Sequence, residues 1–130
     1  MQIIRESLES VLNKTRYALI VEVQSVSAVS DGPYHRELDV TARLLKPIFG
    51  QWTAQATFVC RYSEGLPHQR GNKSISPLVT GSGLELEVQK GEQVILLLAD
   101  DPIDTGACTL LRIEPITQVS FLMRRYGDQK

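Results

Sequence analysis

Between Tyr34 and Lys46 the chain settles into a strict alternation. Leu38, Val40, Ala42 and Leu44 fall at one parity, and Glu37, Asp39, Thr41 and Arg43 at the other. A period of two buries one face only if the segment is a β-strand, so the fold must supply an apolar partner to one side and water to the other. The residues just before, 17–29 (YALIVEVQSVSAV), are rich in β-branched and aromatic types. Tyr17, Leu19, Val21 and Val23 share one face; Ala18, Ile20 and Val26 share the other with Glu22 and Gln24, which predicts a strand buried on both faces in its first half. Asp31-Gly32-Pro33 between the two segments is a turn, because glycine tolerates positive φ and proline fixes φ. A long antiparallel hairpin follows.

The rest of the chain is read by the same periods. Lys46-Pro47 and Gly50 are expected to break the second strand. Residues 54–62 form a third, with Ala54, Ala56, Phe58, Cys60 and Tyr62 on one face and Gln55, Thr57, Val59 and Arg61 on the other. Residues 63–83 are a long connection punctuated by Gly65, Pro67, Gly71, Pro77, Gly81 and Gly83. Leu84, Leu86 and Val88 alternate with Glu85, Glu87 and Gln89 as a fourth strand. After a Lys90-Gly91 turn, Gln93–Ala99 is a continuous apolar run of the central-strand kind, ended by Asp100-Asp101-Pro102. Residues 107–114 are the last full strand. At the start, Ile4, Leu8, Val11 and Leu12 line one face of a helix over 3–14. At the end, 117–126 fits either a helical turn or a short strand. The pattern predicts an all-β fold with a short flanking N-terminal helix, a small five-stranded Greek-key OB-like barrel. It is one domain over the 130 residues: helix 1–15, barrel 16–115, long loop 63–83 and a C-terminal extension 116–130.

Three stretches carry a family likeness: ALIVEVQSVSAVSDG, ELDVTARLLKPIFG and KGEQVILLLAD. They resemble the netrin-like module, the family of the tissue inhibitors of metalloproteinases, and its bacterial relatives over residues 17–114. The likeness lies in the Leu45-Lys46-Pro47 break and the later Gly91-Glu92-Gln93-Val94-Ile95-Leu96 signal. It implies an OB-type β-barrel serving as a binding or accessory module in exported proteins. The inhibitors chelate zinc through an N-terminal cysteine. This chain starts Met1-Gln2 and has no cysteine before Cys60, so protease inhibition is not carried over.

Composition excludes several classes. Fourteen basic and fifteen acidic residues leave a net charge of −1, so whole-chain charge steers nothing. No apolar run approaches the roughly 18 residues of a membrane span. MQIIRESLES lacks the features of a signal peptide. The chain is therefore cytoplasmic or begins after a removed signal, and the exported alternative is preferred. Phosphate loops, dinucleotide fingerprints and GxSxG are absent, and Gly81-Ser82-Gly83 reads as a flexible hinge. His35, His68, Cys60 and Cys108 match no zinc spacing. The expectation is a protein that is not an enzyme and takes no metal or cofactor. Parity puts Cys60 inside; Cys60 and Cys108 are either two separate thiols or one disulfide, which on the chain-entropy model would add roughly 4 kcal/mol.

Two functional readings remain. The loop 63–83 presents Leu66, Pro67, His68, Arg70, Lys73, Ile75 and Leu78 on a Gly/Pro frame, and opposed basic and acidic stretches suit docking to another protein. The acidic stretch runs from Glu85 to Asp104. The alternative is a single-stranded nucleic-acid face over 43–73, with Arg43, Lys46 and Arg61 for phosphates and Trp52 for stacking.

Overall fold

The computed structural model describes residues 3–101 and 107–127; Pro102 and Asp104, used above to end a strand and to extend the acidic stretch, lie outside them, as do Met1 and Gln2. In chain order the elements are β1 (Ile4–Arg5), α1 (Leu8–Lys14), β2 (Tyr17–Asp31), β3 (His35–Phe49), β4 (Thr57–Gly65), β5 (His68–Arg70), β6 (Lys73–Ile75), β7 (Leu78–Val79), a 3-10 turn (Leu84–Leu86), β8 (Gln93–Leu98), β9 (Cys108–Pro115) and α2 (Val119–Gly127), the last preceded by a 3-10 turn at Ile116–Gln118.

The expected hairpin is the backbone of the fold. β2 and β3 pair antiparallel from Ala18↔Phe49 to Asp31↔Arg36. β3 continues to β4, from Arg43↔Thr57 to His35↔Gly65. β8 pairs antiparallel with both β2 and β9, and β4 meets β9 in a short parallel pairing, Cys60↔Cys108 to Tyr62↔Leu110. The five-stranded sheet thus has the order β2-β3-β4-β9-β8, with β8 returning to β2.

Two cores follow from the two faces. The concave face buries Tyr17, Leu19, Val21 and Val23 of β2 with Val40, Ala42, Phe58, Cys60, Tyr62, Val94, Leu96, Leu98 and Cys108. The convex face of β2, β8 and β9 buries Ala18, Ile95, Leu97 and Leu111 under Val11 and Leu12 of α1 and Leu122 and Tyr126 of α2. This is why 94–98 is apolar at every position and why the first half of β2 is buried on both sides. The tail resolves as a helix: Leu122 and Tyr126 lie four apart on its buried face, and Tyr126 stacks on Phe49 at 4.2 Å.

Several expectations are corrected. Lys46-Pro47 does not end β3. The strand runs on to Phe49, and Pro47 is accommodated where the β2–β3 register shifts between Ala18 and Leu19, since a bulge spares proline's missing N–H. Val26 does not share the face of Ala18 and Ile20. A bulge between Val23 and Ser25 flips the parity, so Val26 packs with the concave core. Residues 54–56 lie before β4, which starts at Thr57. The helix starts at Leu8, capped by Ser7, whose Oγ accepts from the Ser10 N–H at 3.2 Å. Ile4–Arg5 instead pairs parallel with β7, and the Glu6 N–H donates to the Val79 carbonyl at 2.7 Å.

The largest correction concerns 84–88. Leu84–Leu86 is a 3-10 turn with Glu85 fully buried and Leu86 exposed, the reverse of the expected strand. The Glu85 carboxylate accepts from the Ser82 N–H (3.1 Å), the Ser82 hydroxyl (3.1 Å), the Gly83 N–H (2.9 Å) and the Ile113 N–H of β9 (2.8 Å). These local side chain–backbone bonds outcompete a strand ladder. Gly83 supplies the φ of 104° that the turn needs. Gly81-Ser82-Gly83 is therefore a pinned turn, not a flexible hinge; Arg5 also donates to the Gly81 carbonyl at 2.9 Å.

Candidate protein-binding end of the sheet

β2 and β3 are longer than the strands beside them. β8 covers the outer edge of β2 only from Tyr17 to Glu22, and the last bonds there are Val23 N–H to the Glu92 carbonyl and Gly91 N–H to the Val23 carbonyl. From Gln24 to Asp31, no strand among the described residues pairs with that edge. The apolar stripe of the concave face runs out along this overhang and meets the Glu85 turn. Between them lies a cleft of about 230 Å³ lined by Val26, Ala28, Ser30, Asp31, Arg36, Leu38, Glu85 and Leu86. That is below the roughly 300–1,000 Å³ of small-molecule sites, and suits one side chain of a larger partner.

The polar side of the cleft is held from behind. Arg36 lies 3.7 Å from the Glu64 carboxylate, which is wholly buried, and neither Arg36 Nε nor Glu64 Oε2 has a hydrogen-bond partner among the described residues. Tyr62 donates to the other Glu64 oxygen at 2.9 Å. Burial first, and then the Glu85 and Glu64 carboxylates, push the Tyr62 phenol up, so it stays a donor. Nearby, Arg112 faces Glu114 at 2.8 Å, and burial raises the Glu114 carboxyl above its ordinary value.

The expected partner loop sits at this same end and is more ordered than its composition suggests. β5 and β6 form a small hairpin, His68↔Ile75 to Arg70↔Lys73. Leu66 N–H donates to the Tyr34 carbonyl at 2.8 Å, and the His68 ring lies against Tyr34 at 4.7 Å, its Nδ1 2.9 Å from the Leu66 carbonyl. The loop is thereby sewn to the tip of β2–β3. Leu66, Pro67, His68 and Ile75 are half-buried; Arg70 and Lys73 are exposed. Between Glu64 and Glu85 the sequence carries no acidic residue, so this protrusion is locally basic. Leu78 is set apart from it, paired with Ile4 in the β1–β7 ribbon, where the two are 61% and 51% exposed.

The residues of the nucleic-acid alternative are not brought together as free groups. Arg61 makes a two-pronged contact with Asp39 at 2.8 and 3.2 Å and faces Glu37 at 3.8 Å; Arg43 pairs with Glu22 at 3.4 Å. Lys46 is exposed. Trp52 is half-buried, edge-on to Tyr17 at 5.1 Å and tilted on Phe58 at 4.7 Å, with its indole N–H on the Gln55 carbonyl. It packs against the concave core from its margin. Trp52→Ala should therefore lower the unfolding free energy by about 2 kcal/mol in urea denaturation, less than a fully buried tryptophan because one side is wet. A solvent-facing stacking residue would change stability by under about 0.5 kcal/mol.

Cys60 and Cys108 are both buried and both free thiols, directly opposed in register. Among the described residues, no cluster of three or more His, Cys, Asp or Glu is placed to hold a metal, and no helix is long and apolar enough to cross a membrane. The residues that sequence reasoning missed are Val26, Ala28, Ser30, Asp31, Arg36, Leu38, Glu85 and Leu86, which line the cleft. Their one sequence signal was a hairpin longer than the 93–98 strand that must cover it. Comparison of the chain with protein-family models, with curated proteins and with solved structures gives no match.

Proposed function

We propose that this chain is a non-enzymatic binding module that takes an extended segment of another protein at the overhanging end of its sheet. The observation that carries the reading is the unpaired Gln24–Asp31 edge lying beside the cleft. An added strand gains main-chain hydrogen bonds from such an edge, and a neighbouring cleft selects one of its side chains. The locally basic β5–β6 protrusion beside Tyr34 favours a segment that carries acidic residues. The scaffold is read as an OB-type Greek-key barrel of the netrin-like kind. Its support is the ring of pairings, with the first long strand beside the fourth and the third parallel to the fifth.

The test is a displayed random-peptide library, followed by titration of the selected peptide into isotope-labelled protein. Amide shifts should concentrate on 24–31 and 84–86. Ala28→Trp, which fills the cleft from an exposed position, should weaken the peptide at least tenfold and leave the melting temperature within about 2 °C. Failure to select any peptide, or shifts that map to another face, would overturn the reading.

A further inference from the structure

The two cysteines lie at the one place where the sheet is closed by few bonds. The parallel β4–β9 pairing spans only Cys60–Tyr62 against Cys108–Leu110, the shortest in the five-stranded sheet. Cys60 and Cys108 are register partners there. Both are buried, and both are among the side chains of the concave core. Neighbouring strands stand about 4.7–4.9 Å apart, inside the roughly 4.4–6.8 Å Cα separation that disulfides span. Each thiol bonds only weakly, Cys60 Sγ to the Val40 carbonyl and Cys108 Sγ to the Val59 carbonyl, both at 3.5 Å. Among the described residues neither thiol lies in an ion pair, so bringing the sulfurs together gives up only these two weak bonds.

We infer that Cys60 and Cys108 form a disulfide latch that staples the β4–β9 seam, installed by thiol–disulfide exchange while the seam is open during folding. One thiolate attacks an oxidised dithiol or glutathione disulfide and releases the first thiolate leaving group. The second cysteine then attacks the mixed disulfide and releases the other. The two cysteines lose two electrons and two protons in all; the exchange partner gains both as two thiols. Once the seam is closed the reaction is blocked both ways. Both sulfurs are buried out of reach of a disulfide or an alkylating agent, and the neighbouring Cys108 thiol together with burial holds the Cys60 thiol well above its usual range, which keeps Cys60 from attacking as a thiolate. The latch acts on the scaffold and stands whether or not the peptide reading does.

The experiment refolds the full chain from denaturant in a reduced/oxidised glutathione buffer, then alkylates in denaturant and weighs the product. The expected product carries no alkyl group and is two hydrogens lighter than the reduced chain. It melts about 15 °C above the reduced protein, as closure of a loop of this length implies. The reduced, folded chain should resist alkylation for hours without denaturant. Cys60→Ala and Cys108→Ala should each show the same melting temperature with and without oxidant. Two alkylated cysteines after refolding, glutathione adducts or linked dimers as the main product, or an oxidised form that melts no higher than the reduced one would overturn the inference. The wild-type comparison decides the matter even if a variant fails to fold.

Discussion

Glu85→Ala is expected to lower the unfolding free energy by about 4 kcal/mol, since it takes the acceptor from the buried Ile113 N–H, whose loss alone costs roughly 1–3 kcal/mol, and from the part-buried Ser82 and Gly83 N–H groups. Ser82 Oγ still reaches the Ile113 carbonyl at 2.6 Å, so the hydroxyl is not orphaned. Glu85→Gln keeps one acceptor oxygen but turns an NH₂ towards N–H donors, and should cost about half as much. Glu87, two residues on and exposed, is the control: Glu87→Ala should stay within about 0.5 kcal/mol. Urea denaturation of the three variants checks this. If Glu85→Ala costs no more than Glu87→Ala, the carboxylate does not organise the turn.

Gly81→Ala is the second large effect. An added Cβ would clash with the Tyr62 hydroxyl and the Glu85 Oε1 and lie 2.7 Å from Tyr62 Cζ. Tyr62 is fully buried in the concave core and has no room to retreat, so the loss should be about 3 kcal/mol, at the upper end of overpacking costs. Tyr62→Phe removes the clashing hydroxyl while leaving the buried Glu64 without its donor, and should itself cost about 1–2 kcal/mol. Because the two changes meet at one contact, the double variant should be more stable than the sum of the singles implies, by about 1 kcal/mol or more. Strict additivity would show that Gly81 is not held against Tyr62. Both predictions bear on the cleft, because Glu85 lines it and Tyr62 bonds to the carboxylate behind Arg36.

Periodicity served well where one pattern admitted one physical solution. The Leu38–Leu44 alternation could be buried only as a strand, and the all-apolar Val94–Leu98 run only between two layers. It misled where two solutions fit. Leu84, Leu86 and Val88 satisfy a strand template, but a template of apolar positions does not register that Glu85 can collect backbone donors from its own turn and from β9. Ile4 matches a helical face by spacing alone, yet its backbone is needed beside β7. The face of Val26 depends on a bulge, which leaves no mark on composition. Trp52 and the arginines read as a binding face because a sequence shows charges but not their partners: Asp39, Glu37 and Glu22 stand across the strands from them.

Local order along this chain, meaning the long hairpin, the doubly buried strands and their turns, was decided by side-chain period and by Gly and Pro, which act within a few residues. The tertiary structure alone decided what depends on residues far apart in sequence. It set Glu85 on the Ile113 amide, Cys60 against Cys108, and the bare edge of β2 beyond the end of β8. Each of these is fixed by which strand ends where in space, and no window of sequence contains both partners.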